Sequence, residues 1–455
     1  MNKTLVCTAL FAALGGLSQA QASDAKNVIL FIGDGMGPSV LTATRLYKVG
    51  EEGNLEIMSL PRSARIKTFS HDAQTTDSAP SMAAYTTGVK MNNEVIAMSS
   101  DTRAVAPSKD ANGNKGINNC TSDNGSPVPT ILELAKAAGK SVGAVTTTEL
   151  THATPAATYS HICHRDAAYA IAEQAVPGGA GFNQALGDGV DVLMGGGANH
   201  WTPYSASNKG GRADGRDLTA ELTARGYRYV TTKDELSAVN SGKVLGLFST
   251  KSHLDYELDR VAKGAASTQP SLSEMTAKAI DLLSQNSQGY FLMVEGGRID
   301  HALHATNAKR SLTDAVALDE AVKTALGKVD LSDTLIVVTA DHDHTMTING
   351  YSAKGNKVLD LVKNADGSTQ NDADGKPFTT LVFGNGPNRQ DQRPTLTSDE
   401  VMADDYLQET GVKLGSETHG GGDVMLFAGG AGSSQFKGTL DNTRVFGKLR
   451  EALGL

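Results

Sequence analysis

Cysteine, tryptophan and aromatic side chains are scarce in this chain: three cysteines, one tryptophan and 5% aromatics across 455 residues. So few cysteines exclude a disulfide-stapled miniature scaffold, and the 39% of hydrophobic residues are ample for a large buried core instead. Positive charge is also short. Lys plus Arg number 41 against 50 for Asp plus Glu, a net −9, so no nucleic-acid-binding role is expected. Nor is a membrane span, because no segment reaches the roughly twenty continuous apolar residues that cross a bilayer.

The apolar run from Leu5 to Leu17, preceded by Lys3 and followed by the small-x-small triplet Ala20-Gln21-Ala22, has the pattern of a secretory signal. Residues 1–22 are therefore expected to be removed, leaving 23–455 as a periplasmic or secreted protein. Cys7 leaves with them. Cys120 and Cys163 remain, either as one disulfide or as two buried thiols. Glycine is plentiful at 49 residues, clustered in GDGMG, MGGG, VEGG, THGGG and AGG, where tight turns or close backbone approach are expected.

Short β-branched runs recur at Val28–Ile32, Val142–Thr147, Val190–Met194, Tyr290–Val294, Leu335–Thr339, Thr380–Phe383 and Val424–Phe427. Helical patterns at Thr130–Ala138, Ser271–Ser284, Arg298–Leu326 and Asp399–Gln408 lie between them. The alternation predicts an α/β fold, a mostly parallel central sheet with helices on both faces. Two polar stretches, 196–270 and 349–397, read as insertions outside the sheet, either solvated loop or a cap over a site.

Four of these strands run into acidic or imidazole residues: Asp34, then Glu149 with His152 and Thr154, then Glu295, then Asp341-His342-Asp343-His344. In a parallel sheet the carboxyl ends share one edge, where ligands bind. One acidic strand end would be an ordinary helix cap; four at one rim are harder to explain that way. Asp300 and His304 are four apart on one helical face, and with a distant His419 they make a plausible zinc set. Asp34, Asp341 and His342 make a second. Glu295, Thr154 and a shared Asp34 offer only hard oxygens, which suit magnesium. Ser78, in TDSAPS before a small-residue helix, is the nucleophile candidate, since a helix N-terminus favours an anion there. The simpler reading makes Asp77 or Ser78 just a helix cap.

These residues resemble the alkaline phosphatase family. FIGDGMG, TTDSAPS, TTTELTHATPAATYSHICHR, FLMVEGGRIDHALH, VVTADHDH and ETHGGGDV resemble its signature segments in the same order, from about Asn27 to the C-terminus. His152 and His301, where the enteric type has Asp and Lys, are closer to the animal-like and marine bacterial branch. So is the long stretch between His342 and His419, similar to that branch's crown insertion at about 349–397. The resemblance implies phosphate monoester hydrolysis through a phosphoserine on Ser78, with two zinc ions and one magnesium ion. Asp300, His304 and His419 would hold one zinc, Asp34, Asp341 and His342 the other, and Asp34, Thr154 and Glu295 the magnesium. Arg165 would clamp phosphate oxygens with its planar fork. His301 would reach phosphate through water from the pocket side. His152 and His344 would act one layer out, His344 by orienting a zinc ligand. A homodimer follows from the same resemblance, as does breadth towards the alcohol.

Two alternatives differ by residue type. Related phosphodiesterases and sulfatases use Thr or a modified Cys as nucleophile and lack the third metal, against Ser78, Thr154 and Glu295 here. A phosphate-binding scaffold would need neither a nucleophile nor complete ligand sets. The processing reading is directly testable: the intact mass of the exported protein should correspond to a chain starting near Ser23, whereas a retained Met1 would contradict it.

Overall fold

The structure, a computed structural model, describes residues 25–455, so the expected signal segment 1–22 lies outside the described residues. In chain order the strands are β1 (Asn27–Gly33), β2 (Arg62–Lys67), β3 (Ser141–Glu149), β4 (Val192–Gly196), β5 (Arg228–Val230), β6 (Val244–Leu247), β7 (Tyr290–Gly296) and β8 (Thr334–Ala340). Then come β9 (Asp343–His344), β10 (Met346–Ile348), β11 (Leu381–Gly386), β12 (Thr410–Lys413), β13 (His419–Gly420), β14 (Val424–Gly430) and β15 (Gly438–Asp441). Ten of them form one sheet in the order β15-β2-β14-β8-β1-β7-β3-β4-β6-β5. From β8 to β5 every neighbouring pair is parallel, and β14 is antiparallel to both β8 and β2.

The central strands explain why this sheet forms. β7 (YFLMVEG) and β8 (TLIVVTA) are buried along their whole length, and β1 is buried from Val28 to Gly33. Strands apolar on both faces need helices on both sides, and burying each Leu, Ile or Phe contributes about 1.5–3 kcal/mol. Register then fixes the rim. Gly33 pairs with Ala340 on one side and Gly296 on the other, and Glu295 pairs with both Ile32 and Thr146. Asp34, Glu295 and Asp341 therefore emerge side by side from three adjacent strands.

Several expectations need correction. The stretch 196–270 is not outside the sheet: β5 and β6 extend its edge, with short helices around them. Strands of three and four residues are too short to show a period. β2 (RSARIK), for which the sequence offered no reading, joins the sheet while burying only Ala64 and Ile66. Thr380–Phe383 contributes to a separate three-stranded sheet, β10-β11-β12, not to the central one. The pattern Arg298–Leu326 is two helices, Arg298–His304 and Ala308–Leu326. Thr306 between them has a positive φ of 59°, and the Asn307 side chain accepts from Arg310 N to start the second helix. The pattern Asp399–Gln408 is helical only over Ser398–Val401, because Asp404 O and Gln408 N are taken by Asn307 and Thr306. Cys120 and Cys163 are joined as a disulfide, two residues before Arg165.

Candidate active site and metal centres

Ser78 is the first residue of the helix Ser78–Thr87, and the Asp77 carboxylate caps it by accepting from Ala79 N at 2.7 Å. Small residues let this helix lie directly on the end of β8. There the Ser81 hydroxyl donates to Asp341 O at 2.5 Å and the Tyr85 hydroxyl donates to Ala340 O at 2.8 Å. Docking at these two points sets the Ser78 Oγ 3.1 Å from His342 Nε2 and 3.4 Å from Asp34 Oδ1.

Three groups of ligand atoms converge around that oxygen. In the first, Asp300 Oδ1 lies 3.3 Å from His304 Nε2 and 3.4 Å from His419 Nε2, and the two nitrogens are 3.1 Å apart. In the second, His342 Nε2 lies 3.2 Å from Asp34 Oδ1 and 3.4 Å from Asp341 Oδ2. The third gathers Asp34, His152 and Glu295, with ligand atoms within 4.8 Å of one another. Ligands of a tetrahedral ion bound at roughly 2.0–2.1 Å sit about 3.3 Å apart, so the first two groups have the spacing of shared coordination.

The hydrogen bonds identify which atoms are lone pairs. His304 Nδ1 donates to Glu417 O at 2.6 Å, and His419 Nδ1 donates to Thr76 O at 2.8 Å. A neutral imidazole has one N–H, so both Nε2 atoms present lone pairs to one point beside the Asp300 carboxylate. Two lone pairs and an anion facing each other repel unless a cation lies between them. His342 repeats the pattern, with Nδ1 on Asp343 O at 3.3 Å.

Burial makes the same demand. Asp34 Oδ2, Asp341 Oδ2, Glu295 Oε1 and Thr154 Oγ1 are buried without a hydrogen-bond partner among the described residues. An orphaned buried polar oxygen costs about 1–3 kcal/mol, and more when charged. Burial, then the charges of Asp341, Asp300 and Glu295, raise the Asp34 carboxyl well above its ordinary range. Burial likewise pushes Glu295 up to about 7 and lowers the His342 imidazole well below its usual range. Asp34 and Glu295 are thereby driven towards their uncharged forms, which a divalent cation would reverse, and His342 is held neutral, the form whose lone pair binds a metal. Asp300 alone is kept ionised despite its burial, by the charges of and hydrogen bonds to His304, His344 and His419. The donor sets fit: nitrogen and carboxylate in two groups, oxygen-rich in the third.

Other expected residues also gather here. Arg165 donates to Asp77 Oδ1 at 3.0 Å and to His152 Nε2 at 3.1 Å, which fixes its fork. His344 donates Nε2–H to Asp300 Oδ1 at 2.8 Å and binds Glu417 Oε2 through Nδ1 at 2.6 Å, an orienting position. Burial opposes its charge, but those two carboxylates push it up to about 10. Its ring fits because Gly35, at φ 67°, carries no side chain; a Cβ there would come 2.4 Å from the His344 ring. His301 accepts from Arg298 Nη1 at 2.9 Å, which forces its proton onto Nε2, and burial lowers it to about 4.

Sequence reasoning missed Glu417 and His253. The Glu417 carboxylate also takes Thr345 N at 2.7 Å and Thr345 Oγ1 at 2.5 Å, making it the hub behind two candidate ligands. Its position two residues before His419 was the one available signal. The His253 ring packs 4.2 Å from that of His301 and edge-on to His152, from a stretch that read as loop.

Ligand clusters at strand ends beside a helix-initial serine and an arginine make the arrangement of a metal-dependent hydrolase for anionic esters. Comparison with known proteins agrees. The alkaline phosphatase family model matches residues 25–455. The chain is 39% identical over 439 residues to the tissue-nonspecific alkaline phosphatase of Gallus gallus, covering 89% of this chain and 80% of that one. It is 38% identical to the alkaline phosphatase of Gadus morhua, over 91% of this chain and 88% of that one. Among solved structures, Thermus thermophilus alkaline phosphatase superposes with a TM-score of 0.70 at 28% identity, covering 98% and 96% of the two chains. The enzyme from the Antarctic bacterium TAB5 gives 0.65 at 25%, covering 95% and 99%. The chain belongs to the alkaline phosphatase family, and it is a phosphomonoesterase hydrolase with metal cofactors.

Replacing Glu417 with alanine should weaken metal binding about 10–100-fold by freeing His344 and the loop before His419. Zinc affinity measured against a competing chelator checks this, and an unchanged affinity would show that Glu417 does not position the ligands.

Proposed function

We propose that this protein hydrolyses phosphate monoesters through a phosphoserine on Ser78, with two zinc ions and one magnesium ion. Asp300, His304 and His419 would hold one zinc, and Asp34, Asp341 and His342 the other. Asp34, Thr154 and Glu295 would hold the magnesium, with His152 beside it. When bound, those cations would supply Lewis acidity for the displacement and offset the charge of the phosphate dianion. The observation that carries the reading is the Ser78 hydroxyl, 3.1 Å from a His342 nitrogen whose other side is tied to backbone.

The chain's own groups do the rest. The first turn of the helix Ser78–Thr87 favours negative charge at Ser78. Arg165, anchored by Asp77 and His152, offers a planar pair of donors to two phosphate oxygens. His301 keeps Nε2–H as a neutral donor on the pocket side, so it orients phosphate without adding a charge that would retain the product. Ser78 displaces the alcohol, which leaves with a proton, and hydrolysis of the phosphoserine then regenerates the hydroxyl and releases phosphate. The wider reading is one catalytic domain, residues 23–455, with a crown-type insertion at about 349–397. It is a homodimer, by family resemblance, in the periplasm or secreted.

Ser78→Ala should abolish covalent phosphate incorporation from a labelled monoester and lower turnover by several orders of magnitude. Acid-quenched labelling combined with p-nitrophenyl phosphate turnover at alkaline pH tests it. Wild-type labelling or turnover in the variant would remove Ser78 from its role.

A further inference from the structure

Glu149 ends β3, three residues before His152, and none of the roles above uses it. Its carboxylate faces a cavity of about 330 Å³ that also borders His152 and Arg165, the group assigned here to the phosphate. The far wall comes from other segments, including Asn199, His200 and Tyr169. That volume is at the small end of ligand sites, suited to a compact molecule.

The lining has an unmet demand for donors. No donor among the described residues hydrogen-bonds the Glu149 carboxylate; the nearest histidine nitrogen, His200 Nδ1, is 4.0 Å away and engaged by Thr151 Oγ1 at 2.7 Å. Burial lowers His200 to about 4, so it brings no positive charge. The Asn199 amide donates to Gly210 O at 3.3 Å, while its Oδ1, on a side chain only 7% exposed, has no partner among the described residues. At the mouth the Lys115 ammonium is spent on Asp166, 2.6 Å away. The Glu149 carboxylate and Asn199 Oδ1 are left over as acceptors, and the His152 Nδ1–H, whose Nε2 accepts from Arg165, is a buried donor left beside them. Tyr169 and His200 meet edge-to-face at 5.2 Å and give one wall a flat, apolar character. Gly197, at φ 75°, makes the room: a Cβ there would sit 2.9 Å from the Glu149 Cβ.

We propose that this cavity is a leaving-group subsite for a polyhydroxylated alcohol of sugar size, with Glu149 accepting from its hydroxyls. The inference rests on the reading of Arg165 as the phosphate clamp. It narrows the expected indifference to the alcohol to a preference for substrates rich in hydrogen-bond donors.

The test compares kcat/KM for glucose 6-phosphate, phosphoethanolamine and p-nitrophenyl phosphate in wild type, Glu149→Ala and Glu149→Gln. Losing a hydrogen bond to a charged acceptor should lower the glucose 6-phosphate to p-nitrophenyl phosphate ratio about tenfold or more in Glu149→Ala. Glu149→Gln, which keeps one acceptor oxygen, should recover part of that loss. An unchanged ratio in Glu149→Ala would overturn the subsite, and a selective loss of phosphoethanolamine turnover would overturn its polyol assignment. Absence of turnover with all three substrates in wild type would instead sink the phosphatase reading, and the subsite with it.

Discussion

The mutual repulsion of buried carboxylates governs this structure. Asp34, Glu295 and Asp341 leave three adjacent strands at one register, and Asp300 joins them from the helix behind β7. All four are buried, with Asp300 the most exposed at 4%. Burying even one ionised carboxylate without a partner is costly, and like charges at short range add to that cost. Imidazoles around Asp300 keep that carboxylate ionised, but Asp34, Glu295 and Asp341 are pushed towards their neutral forms and need cations among their oxygens to stay ionised. The second oxygen of Asp34 shows how economical the arrangement is: Oδ1 faces His342 and Ser78, while Oδ2 is free for the group that contains Glu295.

The surrounding fold holds the ligands apart from their own preferences. Backbone carbonyls of Glu417, Thr76 and Asp343 each take an imidazole N–H, so the opposite nitrogens face inward as lone pairs. One of those carbonyls, Thr76, lies two residues before Ser78, which couples the nucleophile's segment to His419 over 343 positions of sequence. The disulfide beside Arg165 and the caps at Asp77 do the equivalent for the phosphate side. Function here is a set of positions enforced by hydrogen bonds that carry no chemistry themselves.

Much of this was legible in the sequence because the central strands are apolar on both faces and end abruptly in acidic residues. That pattern located Asp34, Glu295 and Asp341, and helical spacing joined Asp300 to His304. What stayed hidden depends on tertiary contact. β2, one strand in from the edge, and β5, at the opposite edge, are short, and their charged or polar faces give no clear strand signal. The break at Thr306 has no glycine or proline to announce it, and Asn307 reads as an ordinary polar residue until its side chain caps Arg310. Glu417 and His253 gain their roles only when loops 75 and 48 positions from His342 and His301 fold back, as in the Glu417 contact with His344. No local period encodes that.

The most direct measurement is thermal unfolding of the purified holoenzyme alongside elemental analysis, before and after exhaustive chelation at alkaline pH. Ligands that bind only the folded state stabilise it by mass action, so cations at this rim must raise the melting temperature. The account predicts about three divalent ions per chain, zinc in excess of magnesium, a clear drop in melting temperature on their removal, and recovery only when both metals are restored. A metal-free protein that melts at the holoenzyme's temperature and keeps full turnover would contradict it.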